Sequence, residues 1–180
     1  MQLTVAGPAD PYLVLRETWA VNEHIHQLLL EHLDARAWRA KPPGGKGRSV
    51  AAIFAHLHNI RRKWIRLSTP GRELPAPLHR SRCSQSQARV ALAQSARCCA
   101  EMLGSMLTLS PPPKFLRDGW ARPWPAGAAM VAYMISHEAH HRGQVCMLAH
   151  QLGFPLTGKV SSEMWNWEKL WKECGFTHPR

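Results

Sequence analysis

Strand signals are almost missing from this sequence. It has no alternating β-branched run and no hairpin turn pair, which excludes a sheet of any consequence. Long apolar runs are missing too. The longest, about residues 126–135, is too short to span a bilayer, so no membrane association is expected. The N-terminal MQLTVAGPADPY has neither a charged leader nor a long apolar segment, and without a secretory signal the expected location is a bacterial-type cytoplasm. The five cysteines, Cys83, Cys98, Cys99, Cys146 and Cys174, are odd in number and form no CxxC pair. Reduced thiols in a reducing compartment follow, and Cys146 reads as a packing residue rather than a nucleophile.

Acid is also scarce. There are 12 Asp and Glu against 23 Lys and Arg, a formal net charge of +11. The imbalance is concentrated between Arg36 and Arg97, where fourteen basic residues accompany one acid, Glu73. Arg61, Arg62, Lys63 and Arg66 crowd the end of one helix. Such a stretch can be a nucleic-acid surface, but no helix-turn-helix, zinc-finger or RNA-binding signature goes with it. A solvated basic face is the favoured reading. Recruitment of an anionic small molecule, such as a thiol bearing carboxylates, lies between the two.

What is present is helix. Apolar residues recur at spacings of three and four in four long segments, broken by proline and glycine. The first spans about 10–34, with Leu15, Trp19, Asn22, Ile25, Leu29 and His32 on its expected inner face. The loop KPPGGKG at 41–47 ends it, and Ser49 is a plausible N-cap for the second, residues 49–67. An irregular proline-containing connection at 70–82 leads to the third, about 84–109, striped by Leu92, Ala96, Cys99, Leu103 and Met106 and stopped by Pro111-Pro112-Pro113. A connection carrying Trp120 and Trp124, of a length that often covers a site, precedes the fourth, from near Pro125 to near Leu152. The tail at about 161–175 reads as one short amphipathic helix with Met164, Trp167, Leu170, Trp171 and Cys174 on one side. It is either an apolar cap on the bundle or a lid or homodimer surface. At 180 residues the chain can bury one substantial core, so a single all-α domain over 1–180 is expected, its bundle at about 10–155. Bundle handedness and helix order stay open.

The chemistry sits in the fourth segment, at His137-Glu138-Ala139-His140-His141-Arg142-Gly143-Gln144. Residues four apart on a helix differ by about 40° around its axis, so His137 and His141 point the same way one turn apart. Both fall in the stripe of Met130, Met134, Val145, Leu148 and Leu152 that turns to the core. Buried imidazoles need partners, and either a divalent metal or a hydrogen-bonded histidine pair would serve. A third histidine favours the metal. His56 lies at the edge of the second helix's stripe, Ile53, Leu57, Ile60, Trp64 and Leu67, while His58 is less well aimed at that core. Three imidazoles with one open position are a catalytic type of site. Left without a metal, their polar atoms would cost about 1–3 kcal/mol each if unpaired.

His56 with Trp64 eight residues on, followed by His137 and the run His141-Arg142-Gly143-Gln144, resembles the signature of the DinB/YfiT-like family over roughly residues 10–155. The resemblance implies an all-α, metal-binding four-helix bundle with the short C-terminal amphipathic helix appended. It also implies a ligand set of His56, His137 and His141. Members with assigned activities are often transferases or isomerases that use a low-molecular-weight thiol on a small-molecule substrate. The metal expected on three imidazoles is zinc or nickel, and a thiol or water in the open position is acidified. Around the ligands, Gln144 is placed to hydrogen-bond them and Gly143 to allow close helix contact. Arg142 can bind a carboxylate or bridge to a neighbouring helix, and Glu138, Asn22 and His26 are further candidates for hydrogen bonds that support the ligands. No residue is singled out as catalytic.

Two rival readings stand beside this one. His137-Glu138-Ala139-His140-His141 also matches the HExxH pattern of zinc peptidases, with Glu138 as general base and Glu163 at a plausible distance for a third ligand. The longer metzincin extension fails and no sheet is available to hold a peptide substrate. The other rival is a metal-binding or stress-associated protein without catalysis, which nothing in the sequence rejects.

Overall fold

In the computed structural model, residues 10–108 and 128–176 are described, and among them every regular element is a helix. Four long ones, α1 (Pro11–His32), α2 (Val50–Ser68), α3 (Gln85–Thr108) and α4 (Ala128–Gln151), form the bundle. Two short ones, α5 (Gly158–Glu163) and α6 (Trp167–Glu173), follow. The expected proline stop at 111–113, Trp120, Trp124 and the start near Pro125 lie outside the described residues. No helix among the described residues is long and apolar enough to cross a membrane.

Several helix ends have a local cause. Asp10 accepts from the Tyr12 amide, and Pro11 sits where its missing N–H costs nothing. Ser49 caps α2 by accepting from the Ala52 amide, as expected. Ser84 and Gln87 form a reciprocal capping box at α3: the Gln87 amide donates to Ser84 Oγ at 3.1 Å and the Ser84 amide to Gln87 Oε1 at 2.8 Å. At the other end of α4, Gly153 takes φ +81°, and the Phe154 amide returns to the Ala149 carbonyl at 2.9 Å, a Schellman closure.

Packing fixes the helix order that periodicity leaves open. α1 and α2 each lie against both α3 and α4, so α1 faces α2 and α3 faces α4 across the two diagonals, while α2 and α3 are neighbours. The long connection at 33–49 spans the first diagonal, and that at 69–84 joins adjacent helices. With two neighbours each, the helices bury two faces rather than one. This corrects the reading of His58. It is wholly buried among Phe54, Ile65 and α3, donating to or accepting from Ser95 Oγ at 3.2 Å and the Ala76 carbonyl at 2.8 Å. The α3 stripe is buried throughout, as expected. His32, expected on the inner face of α1, is exposed, because the helix ends there and the inner stripe is continued by Leu29, Leu30 and Leu33. Ile25 is buried under the tail instead of the bundle core.

The tail is two helices, not one. α5 ends after Glu163, and Asn166 restarts the chain as the cap of α6, accepting from the Lys169 amide. The expected apolar side does face the bundle. Leu170 is buried with Val21 and Ile25 of α1, flanked by Met164, Trp167, Trp171 and Cys174, and Trp171 Nε1 donates to Glu17 at 2.9 Å. The tail is therefore a cap on α1. Leu170→Ala should cost about 2–4 kcal/mol of stability by leaving a cavity under α6. Urea unfolding of the variant tests this, and a midpoint equal to wild type would show that the cap does not contribute.

Candidate metal centre

The centre is built from a polar core that lies one layer behind it. Arg61 of α2 is fully buried, although it had read as part of a solvated basic face. Its Nε and Nη2 donate to the Glu138 carboxylate of α4 at 2.6 and 2.8 Å. Its Nη1 donates to Glu23 of α1 at 2.7 Å and to the Leu92 carbonyl of α3 at 2.9 Å. The Trp19 ring covers the guanidinium at 5.0 Å. From α2, one side chain thus contacts the other three bundle helices. Glu138 takes a third hydrogen bond from Asn22 Nδ2 at 2.6 Å. Burial alone would raise its pKa, but the charge and hydrogen bonds of Arg61 prevail and hold it at about 2.

Arg142 joins the same core. Its Nη1 donates to Asn22 Oδ1 at 2.6 Å and approaches His26 Nε2 at 3.5 Å. It bridges to a neighbouring helix, as one of the two expectations had it, through an amide rather than a carboxylate. His26 Nδ1 donates to the Asn22 carbonyl at 3.0 Å, so its Nε2 lone pair faces Arg142. Burial, then Arg142 and Arg61, keep this imidazole neutral despite Glu138. Asn22 and His26 therefore brace Glu138 and Arg142, and their own contacts are with those two residues.

This core sets α4 against α2 so that His137 and His141, flanking Glu138 by one and three residues, come opposite His56. One nitrogen from each of His56, His137 and His141 lies within 4.8 Å of the others, and this is the group among the described residues that could hold a metal ion. His56 and His141 rings are 4.7 Å apart between centroids, as are His137 and His141, and His56 and His137 are 5.5 Å apart. Trp64 and Tyr133 wall His137 at 5.5 and 6.5 Å. Gln144 Oε1 accepts from His141 Nδ1 at 2.7 Å, which leaves Nε2 bearing the lone pair. The Gln144 amide nitrogen donates to His140 at 3.0 Å, so His140 stands outside the triad. Gly143 does not serve close helix contact: a Cβ there would meet nothing within 4 Å.

The donor set suits a divalent ion. Burial, then Arg48, hold the His56 pKa at about 3, and burial lowers that of His141, so both present lone pairs rather than protons at neutral pH. The peptidase arrangement is not made. Glu138 is fully engaged by Arg61 and Asn22, and Glu163 sits on α5 bonded to Lys169 at 3.0 Å. None of the five cysteines is bridged or joins the triad, and burial raises the Cys146 thiol pKa.

The sequence model of the DinB family matches residues 3–159. The chain belongs to the DinB family. No curated protein and no solved structure matches it. Membership accounts for the all-helical bundle and agrees with a metal-binding histidine cluster, and it leaves the reaction unassigned. Arg61 is the site-building residue that sequence reasoning missed. It was counted among basic neighbours, and the signal was its position. Arg61 is four residues past Leu57 and three before Trp64, within the buried surface of α2.

Two predictions follow from these contacts. Glu138→Gln should cost about 3–5 kcal/mol, because it leaves a buried guanidinium partly uncompensated; denaturant unfolding followed by circular dichroism measures this. Acid should destabilise the metal-free protein early. The pKa values of His26, His56, His58 and His141 are all lowered from 6.5 by burial, so below that pH the unfolded chain binds protons the folded one refuses. Stability should therefore fall as pH drops from about 7.5 to about 5.5, a window in which Glu138 stays ionised in both states. A constant urea midpoint across that window would contradict the assignment.

Proposed function

We propose that His56, His137 and His141 bind a divalent metal, zinc or nickel, and that the centre activates a low-molecular-weight thiol for transfer to a small electrophilic substrate. The observation that carries this is the convergence of three imidazoles from two helices with Gln144 orienting one of them. Three protein ligands leave a coordination position open, and an ion held there would supply acidification of a thiol or water entering that position. The chain's own residues do the rest. Gln144 fixes the His141 tautomer, Trp64 and Tyr133 confine the His137 ring, and the Arg61–Glu138 pair holds the two helices in register. With its carboxylate saturated by donors, Glu138 is a structural anion rather than a base, which favours thiol chemistry over peptide hydrolysis. Family membership is compatible with this choice and does not by itself make it.

Protein purified without an affinity metal should contain close to one equivalent of zinc or nickel by elemental analysis. His56→Ala, His137→Ala and His141→Ala should each lower it, while His140→Ala should not, and neither should His58→Ala in the fraction that folds. Normal stoichiometry in His56→Ala would remove it from the ligand set. After cobalt substitution, a small thiol should give an intense near-ultraviolet charge-transfer band that disappears in His137→Ala and His141→Ala. A cobalt-loaded protein whose spectrum ignores every thiol tested would leave metal-dependent hydrolysis, or metal binding without catalysis, as the better account.

A further inference from the structure

Beside the histidine cluster lies an open groove of about 660 Å³ between the loop that precedes α2 and the outer face of α4. Its walls include Lys46 and Arg48 from the loop, Ile53 from α2, and His140, Gln144 and Met147 from α4. No acidic residue lines it. Gln144 belongs to both places: its oxygen holds His141, its nitrogen bonds His140, and both Gln144 and His140 line the groove. Gly143 supplies the opening. It lines the groove, and its missing side chain leaves space that no neighbour fills within 4 Å.

The charge around this opening has one sign. Arg48 and Lys46 are both exposed and line the groove, and Gln144 in the same lining is bonded to His141. The nearest buried acid, Glu138, is neutralised by Arg61. A guanidinium presents a planar fork of donors that matches a carboxylate, and beside a low-dielectric wall its field is screened less than on open surface. Met147 and Ile53 add apolar lining to the same groove, contact for a short carbon chain.

We propose that this groove seats the carboxylate end of a small organic anion whose other end enters the three-histidine centre, with Arg48 as the specificity-determining cation and Lys46 in support. The inference rests on the metal-centre reading above and narrows its ligand from any small thiol to one bearing a carboxylate a few bonds from the sulfur.

The test uses the cobalt-loaded full chain and two isosteric thiols, 3-mercaptopropionate and 3-mercaptopropanamide, titrated by their charge-transfer band. The carboxylate should bind about tenfold more tightly than the amide, equivalent to about 1.4 kcal/mol. Arg48→Ala should abolish the difference while leaving amide binding unchanged, and Arg48→Lys should restore part of it. Raising the salt concentration should shrink the preference in wild type. Gly143→Leu, which favours helix and fills the groove, should weaken the carboxylate more than the amide. Equal affinity for the two thiols overturns the inference while the metal centre stands. A preference that survives Arg48→Ala, as direct chelation of the metal by the carboxylate would give, also overturns it. Failure to retain cobalt, or silence toward both thiols, takes down the underlying reading and this one with it.

Discussion

The structure depends on one buried guanidinium. Arg61, carried by α2, reaches the other three helices of the bundle, and what it meets on each is an acceptor: two carboxylate oxygens on α4, one on α1 and a backbone carbonyl on α3. An arginine with no exposure has to satisfy its donors in fixed directions, so it tolerates little sliding of one helix past another. A shift of α4 by one turn, about 5.4 Å, would carry Glu138 out of reach and His137 and His141 with it. Apolar packing between the same helices would accept a range of registers more readily. The ion pair selects the one in which the three imidazoles converge.

Around it the charge is nearly balanced. Arg61 and Arg142 are offset by Glu138 and Glu23, and His26 stays neutral between them. The six residues Asn22, Glu23, His26, Arg61, Glu138 and Arg142 form a polar layer whose members satisfy one another. The imidazoles lie in the next layer outward, where His56 and His137 are only half buried and solvent or a ligand has access. A rigid interior supports a reachable site, and the two tasks fall to different residues even though Glu138 and His137 are adjacent in the chain.

Much of this was legible in the sequence. The apolar stripes of α3 and α4 recur regularly enough for periodicity to locate them, and His137, His141 and Gln144 follow from their spacing on a single helix. His56 and His58 were harder because α2 touches both α3 and α4, which buries two faces, and a single-stripe reading ranks the wrong histidine as more buried. Arg61 was only partly legible for a related reason. Its spacing from Leu57 and Trp64 sets it on the buried surface of α2, but its acceptors lie on α1, α3 and α4, 38, 31 and 77 residues away, so nothing local names them. The break in the tail at residues 164–166 was hidden because both short helices keep their apolar residues on the side of α1. Asn166 was the available signal, as an N-cap residue inside an otherwise helical stretch.

The placement of α1 diagonally opposite α2 bears on the order in which the molecule is assembled. The α2–α3 pair forms from neighbouring segments, but α1 packs on α3 and α4, and α4 on α1 and α2, so the remaining contacts join segments far apart in the chain, and their loop-closure entropy has to be met before packing rewards it. The histidines inherit this arrangement, since His56 and His137 are 81 positions apart (137 − 56). An ion met by the unfolded chain would find at most the His137–His141 pair held locally, and the third nitrogen arrives only when α2 and α4 dock. An ion bound by the three histidines would thus be a late guest in a frame whose own polar core already holds α2 and α4 together.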